Sequence, residues 1–413
     1  MLTRLQFLLL CTAMCLGAAW ASPAEAKKKK GPPQAHAIFD AQKRKRTRHQ
    51  ISAYFSVGGY AQLSYLGERD RRRDDRVRDS SDTFEVLIGF VGKLRLRHNV
   101  LLFVHAEASL EDRRTDLTRG RLMDPHVKEA LLAVTFGPNA ALSFGRLRLS
   151  DAHRWVADAS VDGVHWGRRW NGRVLEFAAV QGTRNVDGRY LLVHYGVADR
   201  RTKWGVFGLA EREGAADRLH LAGYYARTVS ARFAYQANIG AVFGGAANGK
   251  RAGLGFDIRA IRKLPGDRLK PQITLGFAFG SAGFQQSGLH TNKTYDGGNF
   301  QFHRYGYVYQ PELTNLAVLS ASVGVRPSRK FSADLIVSAY AQPSRSTTGP
   351  SARINGATTG TSRFLGHEIA LVGGWRPAKR TKVEFGVGRF KPGPAYVDQS
   401  AATRAFARIS VQF

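Results

Sequence analysis

From Ile51 to Phe413 apolar and polar residues alternate through a series of short segments, and no other feature restricts the fold of this chain as strongly. A period of two sends successive side chains to opposite faces of an extended strand. About eighteen such segments can be marked, from Ile51–Tyr65 and Thr83–Arg97, through Ala140–Leu149 and Arg173–Gln181, to Lys382–Arg389 and Ala402–Phe413. Their length of about ten residues suits a tilted strand crossing a hydrocarbon layer. The connections alternate too. Glu68–Asp82, Glu111–His126, Ser150–Ser160, Ser281–Glu312, Gln342–Gly366 and Phe390–Ala401 are longer and polar. Between them come tight turns such as His98-Asn99, Gly137-Pro138-Asn139 and Arg169–Gly172, built from good turn formers.

Long connections on one rim and short turns on the other are the pattern of an outer-membrane barrel. A soluble β-sandwich, the competing reading, has no reason to alternate loop length. The expected fold class is therefore all-β, a transmembrane antiparallel β-barrel of about 18 strands. An even strand count places the N- and C-termini on the periplasmic side. The final strand fits: Ala405, Ala407, Ile409, Val411 and Phe413 form an apolar row, while Arg404, Arg408, Ser410 and Gln412 form a polar one interrupted by Phe406.

Residues 1–26 read as a signal peptide, with Arg4, the apolar stretch Leu5–Leu16 and an Ala24-Glu25-Ala26 cleavage site. Both cysteines, Cys11 and Cys15, fall inside it, so the exported chain carries no disulfide or Cys-based metal site. Residues 27–50 read as a basic, disordered tail with Lys27–Lys30 and Lys43-Arg44-Lys45-Arg46, and 51–413 as the barrel. The formal charge of +30 calls for a polyanionic partner, and export disfavours nucleic acid. Outer-membrane lipid is the second expected partner, and a closed barrel without free edges is expected to be a monomer.

Parity sorts the lining. Charges facing lipid at mid-depth cost about 2–4 kcal/mol each, so charged rows should face the lumen. This assigns Lys93, Arg95, Arg97, Arg146, Arg148, Glu176, Arg232, Asp257, Arg259, Glu368, Arg404 and Arg408 to the lining, with His194, Asp334 and Glu384. Near Val161–Arg168 the register stays open, because Asp162 and His165 have opposite parity. A barrel of this size leaves a water-filled channel. Guanidinium groups inside it would attract anions and fork onto carboxylate or phosphate. The interspersed acids would either hold the arginines in place or weaken each contact so that a polymer slides. No catalytic, cofactor or metal site is expected. The 12 His are scattered, and Gly-rich Gly240–Gly245 lacks a following Lys-Ser/Thr.

Three stretches carry a family resemblance. Phe144-Gly145-Arg146, then His153-Arg154-Trp155 and Val161-Asp162-Gly163-Val164, make the first. Tyr305-Gly306-Tyr307, followed by Pro311-Glu312-Leu313-Thr314-Asn315-Leu316 and Arg326-Pro327, make the second. Leu365-Gly366-His367-Glu368-Ile369 with Gly373-Gly374-Trp375-Arg376-Pro377 and the Phe390–Pro394 loop make the third. Together they resemble the alginate-export family of outer-membrane barrels over most of Ala140–Phe413. The resemblance implies eighteen strands and an electropositive constriction passing a polyuronate outward by diffusion. It carries Arg146, Arg154 and Asp162 over as constriction residues, and periplasmic export machinery as a partner. A general anion or phosphate porin is the alternative, and a barrel enzyme the third reading. With all even-numbered connections short, Glu111–His126 and Ser281–Glu312 are the loops expected to close the channel.

Overall fold

The computed structural model describes residues 35–39, 49–71, 79–183, 187–245, 251–296, 298–347, 353–354 and 356–413. The expected signal peptide, and residues 27–34 and 40–48 of the expected tail, lie outside these. Eighteen long strands follow in chain order. They are β1 (Phe55–Arg69), β2 (Ser80–Arg97), β3 (Val100–Thr115), β4 (Arg119–Phe136), β5 (Ala140–Ser150) and β6 (Asp158–Trp170). Next come β7 (Arg173–Gly182), β8 (Arg189–Ala198), β9 (Thr202–Glu213), β10 (Ala216–Thr228), β11 (Phe233–Gly245) and β12 (Arg251–Lys263). The last six are β13 (Gln272–Gly280), β14 (Leu316–Ser328), β15 (Phe331–Ala341), β16 (Phe364–Trp375), β17 (Thr381–Pro392) and β18 (Ala402–Gln412).

Each strand pairs antiparallel with the next, and β18 pairs with β1 from Gln412↔Tyr60 to Thr403↔Arg69, which closes the barrel. Closure leaves no long unpaired edge. Outward rows are apolar and exposed: Phe84, Val86, Ile88 and Phe90 on β2, Leu335 and Val337 on β15, Ile409 and Val411 on β18. Rows of this kind would be buried in a water-soluble protein; here they make the lipid-facing band. Near the short turns the band ends in paired aromatics, Trp170–Tyr195 (6.4 Å), Tyr195–Trp204 (5.8 Å) and Tyr225–Tyr235 (5.8 Å). Amphipathic rings favour the headgroup level.

One expected loop is strand. Glu111–His126 belongs to the β3–β4 hairpin, paired as far as Arg114↔Arg119, with only 116–118 at its tip. Period-two patterning fades there because both faces carry charge, which hid the strands in the sequence. A bulge in this hairpin sets His105 and Ala106 against Glu129 and Val127, so that Lys128 is the extra residue. The spare residue lets Lys128 turn inward beside Glu107, with 3.0 Å between Nζ and Oε2.

Among the described residues, 281–296 and 298–315 between β13 and β14, 151–157 between β5 and β6, and 35–39 enter the barrel. Their apolar side chains, Phe284, Leu289, Tyr305, Tyr309, Trp155 and Ile38 among them, join inward-facing Phe103, Leu131, Leu192 and Leu209 in one buried cluster. The hairpin β5–β6 bends to take part. Its pairing with β4 stops at Arg146↔Ala130, while β5 and β6 stay paired to Ser150↔Asp158. The bend falls on facing glycines, Gly145 (φ 115°) and Gly163 (φ 155°). A Cβ there would lie 2.3 Å from the Ala130 carbonyl oxygen and 2.2 Å from that of Ala179, so only glycine fits.

Candidate functional site

The wall holds its internal segments by charge. Glu368, fully buried on β16, accepts hydrogen bonds from the backbone N–H of Tyr307 (2.5 Å) and Val308 (3.0 Å). Asp257 on β12 pairs with Arg304 (2.5 Å) and accepts from the Tyr305 hydroxyl at 3.2 Å. Arg259, two residues on, binds Asp296 and donates to the Arg304 carbonyl at 2.8 Å. Asp257 and the neighbouring charges hold the Arg304 guanidinium far above its ordinary pKa against the penalty of burial. Glycine makes room for this docking: Cβ atoms at Gly253 or Gly386 would collide with Phe284 and Tyr307.

Glu176 on β7 does the same for residues 35–39. Its carboxylate accepts from the Ile38 N–H (2.8 Å) and the Phe39 N–H (3.2 Å), and it also meets His165 (2.9 Å) and His194 (2.8 Å). The Ser150 N–H donates to the Ile38 carbonyl at 2.8 Å, tying the same segment to the end of β5. So part of the tail expected to be disordered is packed within the barrel. Ala35, Ile38 and Phe39 give it a short apolar stretch that the surrounding basic residues concealed. Glu176→Ala is expected to speed amide exchange at Ile38 and Phe39 by about a hundredfold, since two charge-assisted bonds of about 1.5–3 kcal/mol each are lost. Hydrogen exchange read by mass spectrometry checks this, and unchanged protection would show the carboxylate to be dispensable.

These contacts correct the sequence assignments. Glu176, Asp257, Arg259 and Glu368 do face inward, but they are buried against internal segments and not open to a channel. Arg232 is an exposed turn residue one position before β11. On β5 Leu147 and Leu149 are fully buried, and Arg146 and Arg148 lie on the other face of the hairpin; past Arg146 the hairpin has left the wall, so Arg148 stays inside the barrel and reaches Asp158 at 2.8 Å. Arg146 forks onto Asp162 through two 2.8 Å bonds, on the face that carries exposed Phe144 and Val164. His165 takes the inward parity, which settles the open register. Parity alone does not describe this hairpin, because the face that packs on the internal segments is apolar and its charges lie on the other. Arg95 and Arg97 are exposed at the short-turn end of β2, and Lys93 lies over the Phe103 ring at 5.8 Å.

A cavity of about 890 Å³ stays open between the internal segments and the wall formed by β1–β4, β17 and β18. Lys128, Lys293, Arg376, Lys379, Arg380, Lys382, Arg404 and Arg408 line it against only Glu85, Glu107 and Glu384. Six aromatic rings are interleaved: Tyr60, Tyr295, Phe300, Phe302, Tyr307 and Phe406. Arg404 donates to the Tyr307 carbonyl (3.0 Å) and lies 5.5 Å from that ring. Arg408 lies 4.8 Å from the Phe406 ring, and Phe406 in turn packs on Phe300 at 6.1 Å, which explains the aromatic that interrupts the polar row of β18.

Lys293, at the bend of the long internal segment, is where the cations converge. Burial lowers its ammonium below the ordinary lysine value, Asp158 opposes this, and Arg148, Arg408 and Arg154 add to the lowering. Arg148 reaches Asp158 (2.8 Å), which also accepts from Thr291 (2.7 Å), while Arg154 lies 5.8 Å from the Tyr295 ring. Lys128, Lys293 and the turn cations Arg376, Lys379 and Arg380 were not singled out in the sequence. The bulge and the inward-folded segment that bring the first two to the cavity leave no periodic trace, whereas Arg404 and Arg408 were legible from parity.

No curated protein matches the chain in sequence. Solved structures match in fold. A crystal structure of OccD1 (OprD) aligns with a TM-score of 0.58 at 11% identity, covering 89% of this chain and 97% of that one. The outer membrane protein OprD from Pseudomonas aeruginosa gives 0.57 at 11%, covering 86% and 93%. Acinetobacter baumannii OccAB4 gives 0.60 at 9%, covering 88% and 99%. At such identities the likeness speaks for the barrel alone. The sequence model of the alginate export family matches residues 98–410, which span the barrel from the β2–β3 turn to the end of β18, and the chain belongs to that family.

Proposed function

We propose that this protein is an outer-membrane channel that lets an anionic exopolysaccharide, an alginate-like polyuronate, diffuse outward. The observation that carries the reading is the open cavity, where eight cations face three acids and alternate with six aromatic rings. Guanidinium and ammonium groups match uronate carboxylates. Flat rings offer apolar surfaces to the faces of sugar rings. The acids Glu107 and Glu384 each sit beside a cation, which tempers the contacts so that a polymer can move on. In this reading the signal peptide is removed, both termini face the periplasm, the long-loop rim lies outside, and a monomer suffices. The barrel carries out no chemistry on the polymer, and its basic turn at Arg376–Arg380 is the mouth at which export machinery would deliver it.

In a strain whose polymer synthesis is intact, deleting the gene should abolish secreted uronic-acid polymer. Secretion at the parental level would defeat the proposal. A small-anion porin is the second reading, favoured by Lys293, a cavity-lining cation that feels Arg148, Arg154 and Arg408 together. It predicts that the same deletion slows uptake of small anions and leaves polymer secretion alone.

A further inference from the structure

The outer wall carries a second cationic site, on the face turned away from the lumen. In the upper part of the β3–β4 hairpin, Arg114 pairs with Arg119, Asp112 with Arg121, and Leu110 with Met123. Directly opposed residues share a face, and Leu110 and Met123 are exposed members of the outward apolar row. The three arginines therefore point outward. They converge on one carboxylate oxygen: Arg119, Arg121 and Arg114 lie 3.0, 3.8 and 3.9 Å from Asp112 Oδ2. Three guanidinium groups share a single negative charge, and each side chain remains more than half exposed.

The height of the cluster matters as much as its charge. Leu102, Val104, Ala106, Ala108 and Leu110 are the outward residues below Asp112 on β3. Eight steps at about 3.4 Å, tilted by about 40°, rise roughly 20 Å, close to the ~25 Å apolar band of such barrels. Asp112 and its arginines thus stand at the upper edge of the band, where lipid headgroups begin. The basic arc continues sideways at this level. Arg69 on β1 holds Asp82 (2.9 Å), and Arg389 and Lys391 are exposed on β17. Six cations face two acids along this arc.

We infer that Arg114, Arg119 and Arg121 form a binding site for the phosphate groups of an outer-leaflet glycolipid. Guanidinium forks onto phosphate oxygens in the geometry that Asp112 already imposes, and a phosphate would relieve the mutual repulsion of the three cations. The acyl chains would lie along Leu110, Met123 and Val86, which are exposed immediately below. This inference rests on the orientation proposed above, with the long-loop rim outside.

The probe is diphosphorylated lipid A added to the purified full-length barrel in neutral detergent, with retained lipid counted by native mass spectrometry. The wild-type barrel should retain it about tenfold better than fully dephosphorylated lipid A, and R114A/R119A/R121A should lose that advantage. R212A, an exposed outer arginine paired singly with Asp217, should retain it fully. Equal retention of the two lipids by the wild type overturns the site without any variant. So does a triple variant that binds lipid normally but has lost affinity for polyuronate fragments, which would give the hairpin to the polymer. The orientation is read separately: L117C, at the hairpin tip, should react with an impermeant maleimide on intact cells, and failure there overturns the topology and the site with it.

Discussion

Replacing residues 284–310 by a short Gly-Ser linker is expected to raise single-channel conductance in planar bilayers by roughly fivefold, because an empty barrel of this width is a water-filled channel. The barrel itself should survive the change. Gly280 and Leu316, at the two ends of the segment, are directly paired, so a tight linker joins β13 to β14 without straining the wall. The described residues between them fill the lumen: Phe300, Phe302, Tyr305, Tyr307 and Tyr309 are buried there. A gentler variant tests the same idea. Asp257→Ala leaves the buried Arg304 guanidinium without its carboxylate, a loss of about 3–5 kcal/mol that the segment can escape only by moving. Its conductance should fall between wild type and deletion and fluctuate more. If both variants conduct like the wild type, the segment does not limit the channel.

The barrel was legible because lipid imposes a rule on sequence. Each outward residue must be apolar and each connection must end at a rim, so alternation alone bounds β5, β7 and β18 to within a residue. The lumen obeys no such rule. An inward charge may meet water, as Arg408 does, or an internal segment, as Glu368 does, and both leave the same letter in the same parity. The difference lies in residues 281–315, whose aromatic and glycine content marks a packed segment but not its position. The β5–β6 hairpin shows a second limit of parity: at the bend marked by Gly145 and Gly163 one face turns apolar against the internal segments, while Arg146 and Asp162 pair on the other. The family motifs fall where this packing is tightest. Tyr305-Gly306-Tyr307 and Glu368 are halves of one contact, and Asp257 meets Tyr305 from the other side. The Pro-Glu-Leu-Thr-Asn run closes the segment, with Asn315 bonded to Ser344 at 2.9 Å. Such motifs report how the channel is narrowed more directly than what passes through it.

Charge reversal at the open cavity should invert ion selectivity. Its lining carries eight cations and three acids, a formal balance of +5. Lys128→Glu, Lys382→Glu and Arg408→Glu together move that balance by six units, to −1. Arg404 is left in place because it holds the Tyr307 carbonyl, and changing it would confuse charge with packing. In a KCl gradient the wild-type reversal potential should have the sign of an anion-preferring pore and the triple variant that of a cation-preferring one. The glutamine triple, at +2, should keep the wild-type sign with a smaller value. This graded order is what separates a field effect from collapse of the wall, since glutamine removes the same ion pairs with Glu107 and Glu384. Arg146→Glu is the control. It is not among the residues lining the cavity, is neutralised by Asp162, and should leave the potential unchanged if the cavity alone sets selectivity. Raising the salt to about 1 M shortens the Debye length to about 3 Å, and all variants should then converge toward neutral selectivity. A glutamate triple that remains anion-preferring at low salt would place the conducting path elsewhere and remove the cavity from the mechanism.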